Sequence, residues 1–442
     1  MQVVKTVKIP LHYSTTKRKL SILDKLTARL TYGVTLWSRL IEEHGVEDRS
    51  RLRSRALEAR VKERTGLSAG FVQCCGDTAL WMWRSYGELH RTWAKTVKMA
   101  ESNKEQEWLK KLQRREPKKP LSNGLRHKIP IWFDYRVGKL EKARRIKMAT
   151  HVIRVATLKR GEWVTIPLNP APCHIQLLGQ GTAKSFQIVK KGSKYSVHIK
   201  IEHRVLDVPV AGVLGVDLGV RRHAATVLLS GEKPPKLTPR SFLTIRDGEK
   251  KNRLDRLNRL VSELQQAEKY ETLRRLRHKR KQVAVYFDRL SAKTLADMCG
   301  GCLLVVGHPK GVKYSNFKGN GKKKLRKVLT RWSYARLIRF IVEERAERGL
   351  STAVVDERWT SKTCWKCRSR HTLRMNQSTL FCRHCGMTFN ADYNGALNIG
   401  LPYLAKAAGR RAADEPAQGT EDDQAKEIVA CKLGSQHPSR GL

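Results

Sequence analysis

Two pairs of cysteines with the same spacing carry the clearest chemical signal in this sequence. Cys364 and Cys367 form one Cys-x-x-Cys pair, and Cys382 and Cys385 form a second pair after 14 intervening residues. One tight turn directs both thiolates of such a pair at a single ion, and two pairs complete the tetrahedral shell that zinc prefers. The spacing predicts a structural zinc ribbon over 361–387. Its closed shell of four thiolates leaves no position for a reacting water.

Two carboxylates stand in positions where a charge needs an explanation. Asp217 lies within the apolar run Gly215–Val220, where a buried charge requires a cation, a hydrogen-bond network or a strand-edge position. Asp392 follows the second cysteine pair, where a helix-start carboxylate is the simpler interpretation. Brought together on one α/β core, such carboxylates favour a site for Mg²⁺, which prefers oxygen ligands and can bind a phosphodiester under attack.

The charge balance points to a polyanionic partner. The chain has 442 residues, with 89 Lys plus Arg against 40 Asp plus Glu, and a formal net charge of +49. So large an excess repels itself unless a polyanion neutralises it, so nucleic acid is the leading partner and a membrane surface a weak second. No long apolar run is present, and 40% hydrophobic residues rule out disorder throughout. We expect a cytoplasmic protein that associates with the nucleoid when bound to its target.

Hydrophobic periodicity divides the chain into an α/β multidomain protein. A period of two opens the chain, gives way to helical spacing, and returns near Ile129, which predicts an N-terminal β-barrel interrupted by a helical bundle. Strands and helices then alternate, as in an α/β core. The predicted ranges are 1–16 and 128–206 for the barrel, 17–127 for the bundle, 207–360 and 388–403 for the core, 361–387 for the ribbon, and 404–442 for a disordered tail.

Two dense basic segments are candidates for phosphate contact. A long helix is predicted over Lys250–Met298, and a Gly- and Lys-rich loop over Gly307–Lys327. A solvated face is the alternative interpretation of each run. The candidate nucleic-acid ligands are Arg274, Arg275, Arg277, Lys279, Arg280 and Lys281 in the helix, and Lys322, Lys323 and Lys324 in the loop.

Four motifs together resemble a known family. They are the Asp217 strand, Gly-Val-Asp-Leu-Gly, the long basic helix, the Thr-Ser-Lys-Thr-Cys-x-x-Cys knuckle, and the closing segment Asn-Ala-Asp-Tyr-Asn-Gly-Ala-x-Asn-Ile. This arrangement resembles the RuvC-type nuclease of TnpB proteins, transposon-encoded RNA-guided DNA endonucleases ancestral to compact type V CRISPR effectors. The motifs cover about 212–400. The preceding part agrees only in organisation, with the barrel and bundle in the places of the family's wedge and recognition domains.

The resemblance implies a fold, an activity and partners. The α/β core would be RNase H-like, with the zinc ribbon inserted, and Asp217 and Asp392 would take the first and last catalytic positions. A single two-metal Mg²⁺ site would cut both strands of DNA. The target would be read by a bound guide RNA and a short flanking DNA motif, with the displaced single strand as a further partner.

The middle carboxylate of the family is missing from its usual place. Members commonly carry Glu at the end of the strand that corresponds to Leu303–Val306, where this chain has Gly307. Some similar lineages have a relocated glutamate at the end of the next strand, and Glu357 occupies that position here. We therefore expect Glu357 to complete the site, with Asp356 as the alternative. Less favoured, because they fall on a predicted helix, are Glu343, Glu344 and Glu347.

Three other functions fit the sequence. The missing acid at Gly307 permits an RNA-guided DNA-binding protein without nuclease activity. The core and basic charge also fit an unguided transposase or a resolvase-like nuclease. A non-enzymatic zinc-ribbon RNA-binding protein is the third, although it leaves Asp217 without a cation.

Overall fold

A computed structural model describes residues 1–102, 106–120, 128–144, 148–220, 223–230, 237, 241–246, 248–309 and 332–409. It divides into two compact units. One is Gln2–Arg204, and the other combines Met1 with the chain from Val205 onward. In the described part of the chain, no helix is both long and apolar enough to cross a membrane.

The N-terminal unit opens on one strand, continues through helices and ends on strands. Its elements are β1 (Gln2–Pro10), α1 (Lys17–His44), α2 (Arg49–Leu52), α3 (Arg55–Thr65), α4 (Ala69–Ser102), α5 (Gln106–Gln113), β2 (Trp132–Phe133), β3 (Gly138–Lys142), β4 (His151–Ala156), β5 (Trp163–Pro167), α6 (Pro172–Gln180), β6 (Thr182–Lys191) and β7 (Lys194–Arg204). Local chemistry sets the ends of α1, since the Thr16 side chain accepts from the backbone N–H of Lys19 and Gly45 adopts a left-handed conformation.

The strands of this unit form two antiparallel sheets. One has the order β1-β7-β6-β2 and the other β3-β4-β5. An isolated antiparallel bridge between Leu11 and Leu168 joins the end of β1 to the end of β5. Both sheets and helices α1, α3 and α4 contribute to one apolar core. This is a mixed α/β unit, and its closure as a barrel stays a prediction.

The C-terminal unit alternates strands and helices. Its elements are β8 (Gly212–Asp217), β9 (Ala224–Ser230), β10 (Phe242–Ile245), α7 (Gly248–Gln266), α8 (Tyr270–Leu276), α9 (Lys279–Asp297), β11 (Cys302–His308), α10 (Tyr334–Ala346), β12 (Thr352–Asp356), β13 (Thr372–Arg374), β14 (Thr379–Cys382), β15 (Thr388–Asn390) and α11 (Ala391–Gly409).

A five-stranded mixed sheet forms the centre of this unit. Its order is β10-β9-β8-β11-β12, with β8, β11 and β12 parallel to one another and β9 antiparallel to both of its neighbours, β10 and β8. Alternate residues of the strands enter different cores. Val216 and Val306 pack with α9 and α10, whereas Val213 and Val305 pack with α11. The sheet is thus covered by helices on both faces, as strands with near-continuous apolar sequence require. The three short strands β13, β14 and β15 form a separate antiparallel sheet.

Two sequence-based boundaries differ from the structure. The helix predicted over Lys250–Met298 is three helices, because α7 ends where Glu268 adopts a positive φ of 51°. That left-handed residue turns the chain before α8 begins. At the other end, the predicted start of the tail at 404 falls inside α11, which continues to Gly409. Residues 410–442 lie outside the described part of the chain.

Candidate active site

Asp217 is the last residue of β8, at the edge of the sheet where the parallel strands end. Its neighbour β11 pairs Val306 with Val216, and β12 in turn pairs Val355 with Gly307. The carboxyl ends of β8, β11 and β12 therefore meet at one edge. In open α/β sheets this edge is where ligands bind.

Glycines allow α11 to lie directly against β8. A Cβ added to Gly215 would collide with the carbonyl oxygen of Ala396, and one added to Gly395 would lie 2.5 Å from Oδ2 of Asp217. Only residues without a side chain permit this contact. The start of α11, which carries Asp392, is thereby brought to the end of β8.

The cap of α11 leaves Asp392 available for other contacts. The side-chain oxygen of Asn390 accepts from the backbone N–H groups of Asp392 and Tyr393 at 3.0 Å and 3.3 Å. Asn390 is therefore the helix-capping residue, and Asp392 lies in the first turn of α11, as its interpretation as a helix-start carboxylate predicted. The Asp392 side chain lines the same cleft as Asp217.

Glu357 reaches the position that Gly307 leaves open. It follows β12 directly, and a Cβ added to Gly307 would lie 2.9 Å from Oε2 and 3.2 Å from Cβ of Glu357. Its carboxylate thus occupies the space that a side chain at the end of β11 would fill. Oε2 is buried and accepts no hydrogen bond from any described residue. A buried carboxylate oxygen without a donor is costly, and a cation would offset that cost.

Burial and mutual repulsion both perturb these carboxylates. Burial, followed by the charge of Asp392, raises the pKa of Asp217 to about 7, although Arg374 acts in the opposite direction. Burial, followed by the charges of Asp217 and Asp356, raises the pKa of Glu357 to about 8. Paired like charges with strongly raised pKa values are typical of catalytic and metal-binding sites.

Sequence reasoning missed a cation in the cleft. Arg374, at the end of β13 in the ribbon, places Nη2 3.7 Å from Oδ1 of Asp392. It lines an open cleft of about 720 Å³ with Asp217, Asp392 and the ribbon residues Asn376, Gln377 and Ser378. The ribbon therefore forms one wall of the site. Spacing in the sequence gave no signal for this, since 157 residues separate Asp217 from Arg374.

The donor set at this edge fits Mg²⁺. Three carboxylates could supply oxygen ligands, and Oε2 of Glu357 has no hydrogen-bond partner among the described residues. Among the described residues, the four cysteines form the one group of potential metal ligands whose atoms all lie within 4.8 Å of one another. The three carboxylates are therefore more widely spaced than the cysteine sulfurs. Mg²⁺ keeps several waters and therefore does not require a tight protein cage.

The sulfurs of the four cysteines form one compact cluster, all within 4.8 Å of one another. Sγ of Cys364 lies 3.7 Å from Sγ of Cys385, and Sγ of Cys367 lies 3.6 Å from Sγ of Cys382. A tetrahedral ion with Zn–S bonds of about 2.3 Å separates its sulfurs by about 3.8 Å. The cluster can hold a metal such as zinc.

Two buried asparagines join the knuckle to α11. Nδ2 of Asn394 donates to the carbonyl oxygens of Thr360 and Thr363 at 3.2 Å and 2.9 Å. Nδ2 of Asn398 donates to the same two carbonyls at 2.8 Å and 2.6 Å. The turn that follows Glu357 is therefore tied to the helix that carries Asp392 in its first turn. The sequence held these residues in its closing motif, but only the fold reveals their partners.

The other acidic candidates have different surroundings. Asp356 pairs with Arg358 at 3.0 Å. Glu343 and Glu344 lie in α10 and both pair with Arg289, at 3.6 Å and 3.8 Å. Glu347 directly follows α10.

The basic candidates that the structure describes are not among the residues that line the cleft. None of the six residues from α8 and the start of α9 lines it. All six are exposed: Arg274, Arg275, Arg277, Lys279, Arg280 and Lys281. Lys322, Lys323 and Lys324 lie outside the described residues.

Comparison with known proteins identifies one group of relatives. Residues 334–399 match the family model described as "Cas12f1-like, TNB domain". A curated relative, the CRISPR-associated endodeoxyribonuclease Cas12f1 of Sulfoacidibacillus thermotolerans, is 35% identical over 81 residues, 18% of this chain and 19% of that protein. The match thus spans about a fifth of the relative's length.

The structural similarity extends much further along the chain. A Cas12f1–sgRNA–target DNA complex shares its fold at a TM-score of 0.53, with 13% identity over 90% of this chain and 98% of that one. The mini RNA-guided endonuclease CRISPR-Cas_phi3 gives a TM-score of 0.48, with 12% identity over 95% and 94% of the two chains. The chain thus resembles the compact type V CRISPR effectors in sequence over residues 334–399 and in fold over most of its length, and the resemblance predicted from its motifs is confirmed.

Proposed function

We propose that this protein is an RNA-guided DNA endonuclease that cuts double-stranded DNA at a single RuvC-type Mg²⁺ site. Asp217, Glu357 and Asp392 are its metal ligands and catalytic residues. The observation that carries the proposal is the position of Glu357, whose carboxylate fills the space beside Gly307. A third carboxylate is thus available although the strand end itself has none.

The sheet supports an RNase H-like core. Its order places β9, which is antiparallel to both of its neighbours, between β10 and β8, with the parallel strands β11 and β12 on the other side of β8, and this is the arrangement we expect of such a core. The curated relative is named an endodeoxyribonuclease, and the structure at a TM-score of 0.53 is a complex with sgRNA and target DNA. These names guide the choice of substrate and partner proposed for this chain.

The protein's own groups would prepare a phosphodiester for attack. Bound Mg²⁺ would activate the water and stabilise the leaving oxygen, so no protein nucleophile is needed. Asp217 and Asp392 from two elements, and Glu357 from a third, fix the ligand positions. Arg374 stands beside Asp392 at the open side, where it can contact a phosphate oxygen of the bound strand.

Structural zinc and basic charge have supporting roles in the proposal. The four cysteines hold zinc and fix the ribbon that carries Arg374. The exposed residues of α8 and α9 bind phosphates of the guide RNA or of its heteroduplex with DNA. The N-terminal unit corresponds to the wedge and recognition domains, and reads a short DNA motif beside the target.

The test begins with the RNA that co-purifies with the protein. Its sequence defines a candidate guide, and a plasmid with the matching target beside a randomised flank is then offered with Mg²⁺. We expect cleavage of both strands that disappears in Asp217→Asn and in Glu357→Ala. Arg358→Ala, an exposed neighbour of Glu357, is the matched control and should retain cleavage.

Two results would contradict the proposal. Cleavage that survives removal of the RNA would favour an unguided transposase or resolvase-like nuclease. Target binding without any cleavage by the parent chain would favour a nuclease-inactive guided DNA-binding protein.

A further inference from the structure

Trp359 has a strained backbone and an exposed side chain close to Glu357 in the chain. Its backbone adopts a positive φ of 68°, its side chain is 54% exposed, and it lies two residues after Glu357. For a bulky residue a positive φ is a true outlier, because its Cβ approaches the following carbonyl oxygen. Strain of this kind persists where the surroundings impose it, and it is concentrated at functional sites.

Hydrogen bonds hold the strained residue in place. The carbonyl oxygen of Trp359 accepts from the backbone N–H groups of Lys362 and Thr363 at 3.0 Å each, and from Oγ1 of Thr363 at 3.0 Å. The next residue, Thr360, donates through its N–H and its hydroxyl to the carbonyl of Glu357. The backbone of Trp359 is therefore held by the same turn that follows the Glu357 carboxylate.

The exposed indole is bordered by cations. The guanidinium of Arg370 lies 5.1 Å from the ring centroid, and Nζ of Lys362 lies 5.7 Å from it. With both cations in place, more than half of the side chain still faces solvent. An exposed aromatic ring beside positive charges is the arrangement that proteins use to bind single-stranded nucleic acid, because the ring stacks on a base while the cations attract phosphates.

We propose that Trp359 is a stacking platform for one unpaired base of the DNA strand that enters the cleft. This inference rests on the proposed function for the identity of that strand. A base on the indole holds its strand beside the Glu357 carboxylate, so Trp359 is a positioning residue and takes no part in the chemistry. Every base offers a π-face, and the platform therefore accepts any sequence.

Photochemical cross-linking tests the contact directly. The full chain with its co-purified RNA is mixed with a thymidine oligonucleotide that carries one 5-iododeoxyuridine, in Ca²⁺ instead of Mg²⁺, then irradiated and digested with trypsin. Cleavage after Arg358 and Lys362 isolates Trp359 in the short peptide Trp-Thr-Ser-Lys. We expect the cross-link on Trp359.

Two substitutions separate stacking from strain. Trp359→Gly removes the indole and also relieves the positive φ, so its fold and zinc content should be retained while the cross-link is lost. Under Mg²⁺ its KM for a single-stranded substrate should rise roughly tenfold with kcat little changed, the effect of losing one stacked base. Trp359→Phe should keep KM within about threefold of the parent, since a smaller ring still stacks. Leu373→Ala, an exposed apolar residue of the ribbon, is the matched control.

The outcomes distinguish this inference from the proposed function. Cross-links at other residues but none at Trp359, or an unchanged KM in Trp359→Gly, would overturn the platform while cleavage by the parent still supports the nuclease. A parent chain that cross-links through Trp359 without cutting DNA would support the platform and overturn the nuclease.

Discussion

Replacing Glu357 with glutamine should stabilise the metal-free C-terminal unit, and increasingly so as the pH rises. Glutamine keeps the size of the side chain and removes its charge. In the parent chain, burial and the charges of Asp217 and Asp356 raise the pKa of Glu357 from 4.5 to about 8. The folded protein therefore retains a proton across a pH range in which the unfolded chain has already lost it.

The pKa shift sets the size and direction of the effect. Below pH 4.5 both states of the parent chain are protonated and the shift has no influence. Above it the unfolded state binds fewer protons than the folded state, so the free energy of unfolding falls as pH rises. A shift of one pKa unit corresponds to about 1.4 kcal/mol. Between about pH 4.5 and about pH 7.5 the free energy of unfolding of the parent should therefore fall by about 4 kcal/mol more than that of Glu357→Gln.

Hydrogen exchange measured by mass spectrometry reports this difference locally. Peptides from β8, β11 and β12 give the opening free energy of the central sheet without interference from the N-terminal unit. The buffer contains no Mg²⁺ and no chelator, so that zinc is retained, and about 0.5 M salt screens the net positive charge. Adding Mg²⁺ at pH 7.5 should stabilise the parent and leave Glu357→Gln little changed. If the opening free energies of the two proteins changed in parallel with pH, the reasoning would be refuted, because the pKa of Glu357 would then not be raised by folding.

Three further predictions follow from the same geometry. Glu357→Gly should lower the cleavage rate on the order of a thousandfold, which corresponds to a loss of about 4 kcal/mol in transition-state stabilisation. Adding Gly307→Glu should recover most of the cleavage rate in single-turnover assays. A double variant as inactive as Glu357→Gly would contradict the idea that a carboxylate at position 307 can replace the one at position 357. Arg374→Ala should move the rising limb of the pH–rate profile to higher pH by less than about one unit, because the half-exposed Arg374 lowers the pKa of Asp217 only through its solvent-screened charge. Arg374→Lys keeps the positive charge and should return the profile to that of the parent. Cys382→Ser should release the zinc and expose β13 and β14 to exchange, with cleavage lost in parallel; unchanged zinc content by mass spectrometry would show that the four thiolates are not its ligands.

Local spacing predicted the parts of the site that local geometry determines. Each Cys-x-x-Cys pair lies in one turn, so the sequence alone could place its two thiolates together. The apolar runs likewise predicted a strand that contains Asp217 and another over Thr352–Val355 just before Glu357, but the first strand was expected to continue to Val220, whereas β8 ends at Asp217. An uncompensated acid in an apolar strand is a signal that needs no knowledge of the fold.

The remaining features depend on contacts between distant segments. Nothing near Arg374 in the sequence indicates that β13 brings it to Asp392. The role of Gly395 is visible only when α11 is packed on β8, because its missing Cβ makes room for the Asp217 carboxylate. The break at Glu268 was missed because the flanking residues all favour helix, and one left-handed residue overrides them.

The Glu357 carboxylate occupies the space next to Gly307, and this affects how sequence motifs should be used to recognise similar proteins. A search that demands an acid at the end of the second parallel strand would discard this protein as inert, although a carboxylate stands in that volume. The proposed metal site needs a carboxylate oxygen at one point in the folded molecule, and either of two adjoining strands can carry the residue that supplies it. A search for the proposed nuclease site should therefore compare positions in space and accept an acid from either strand.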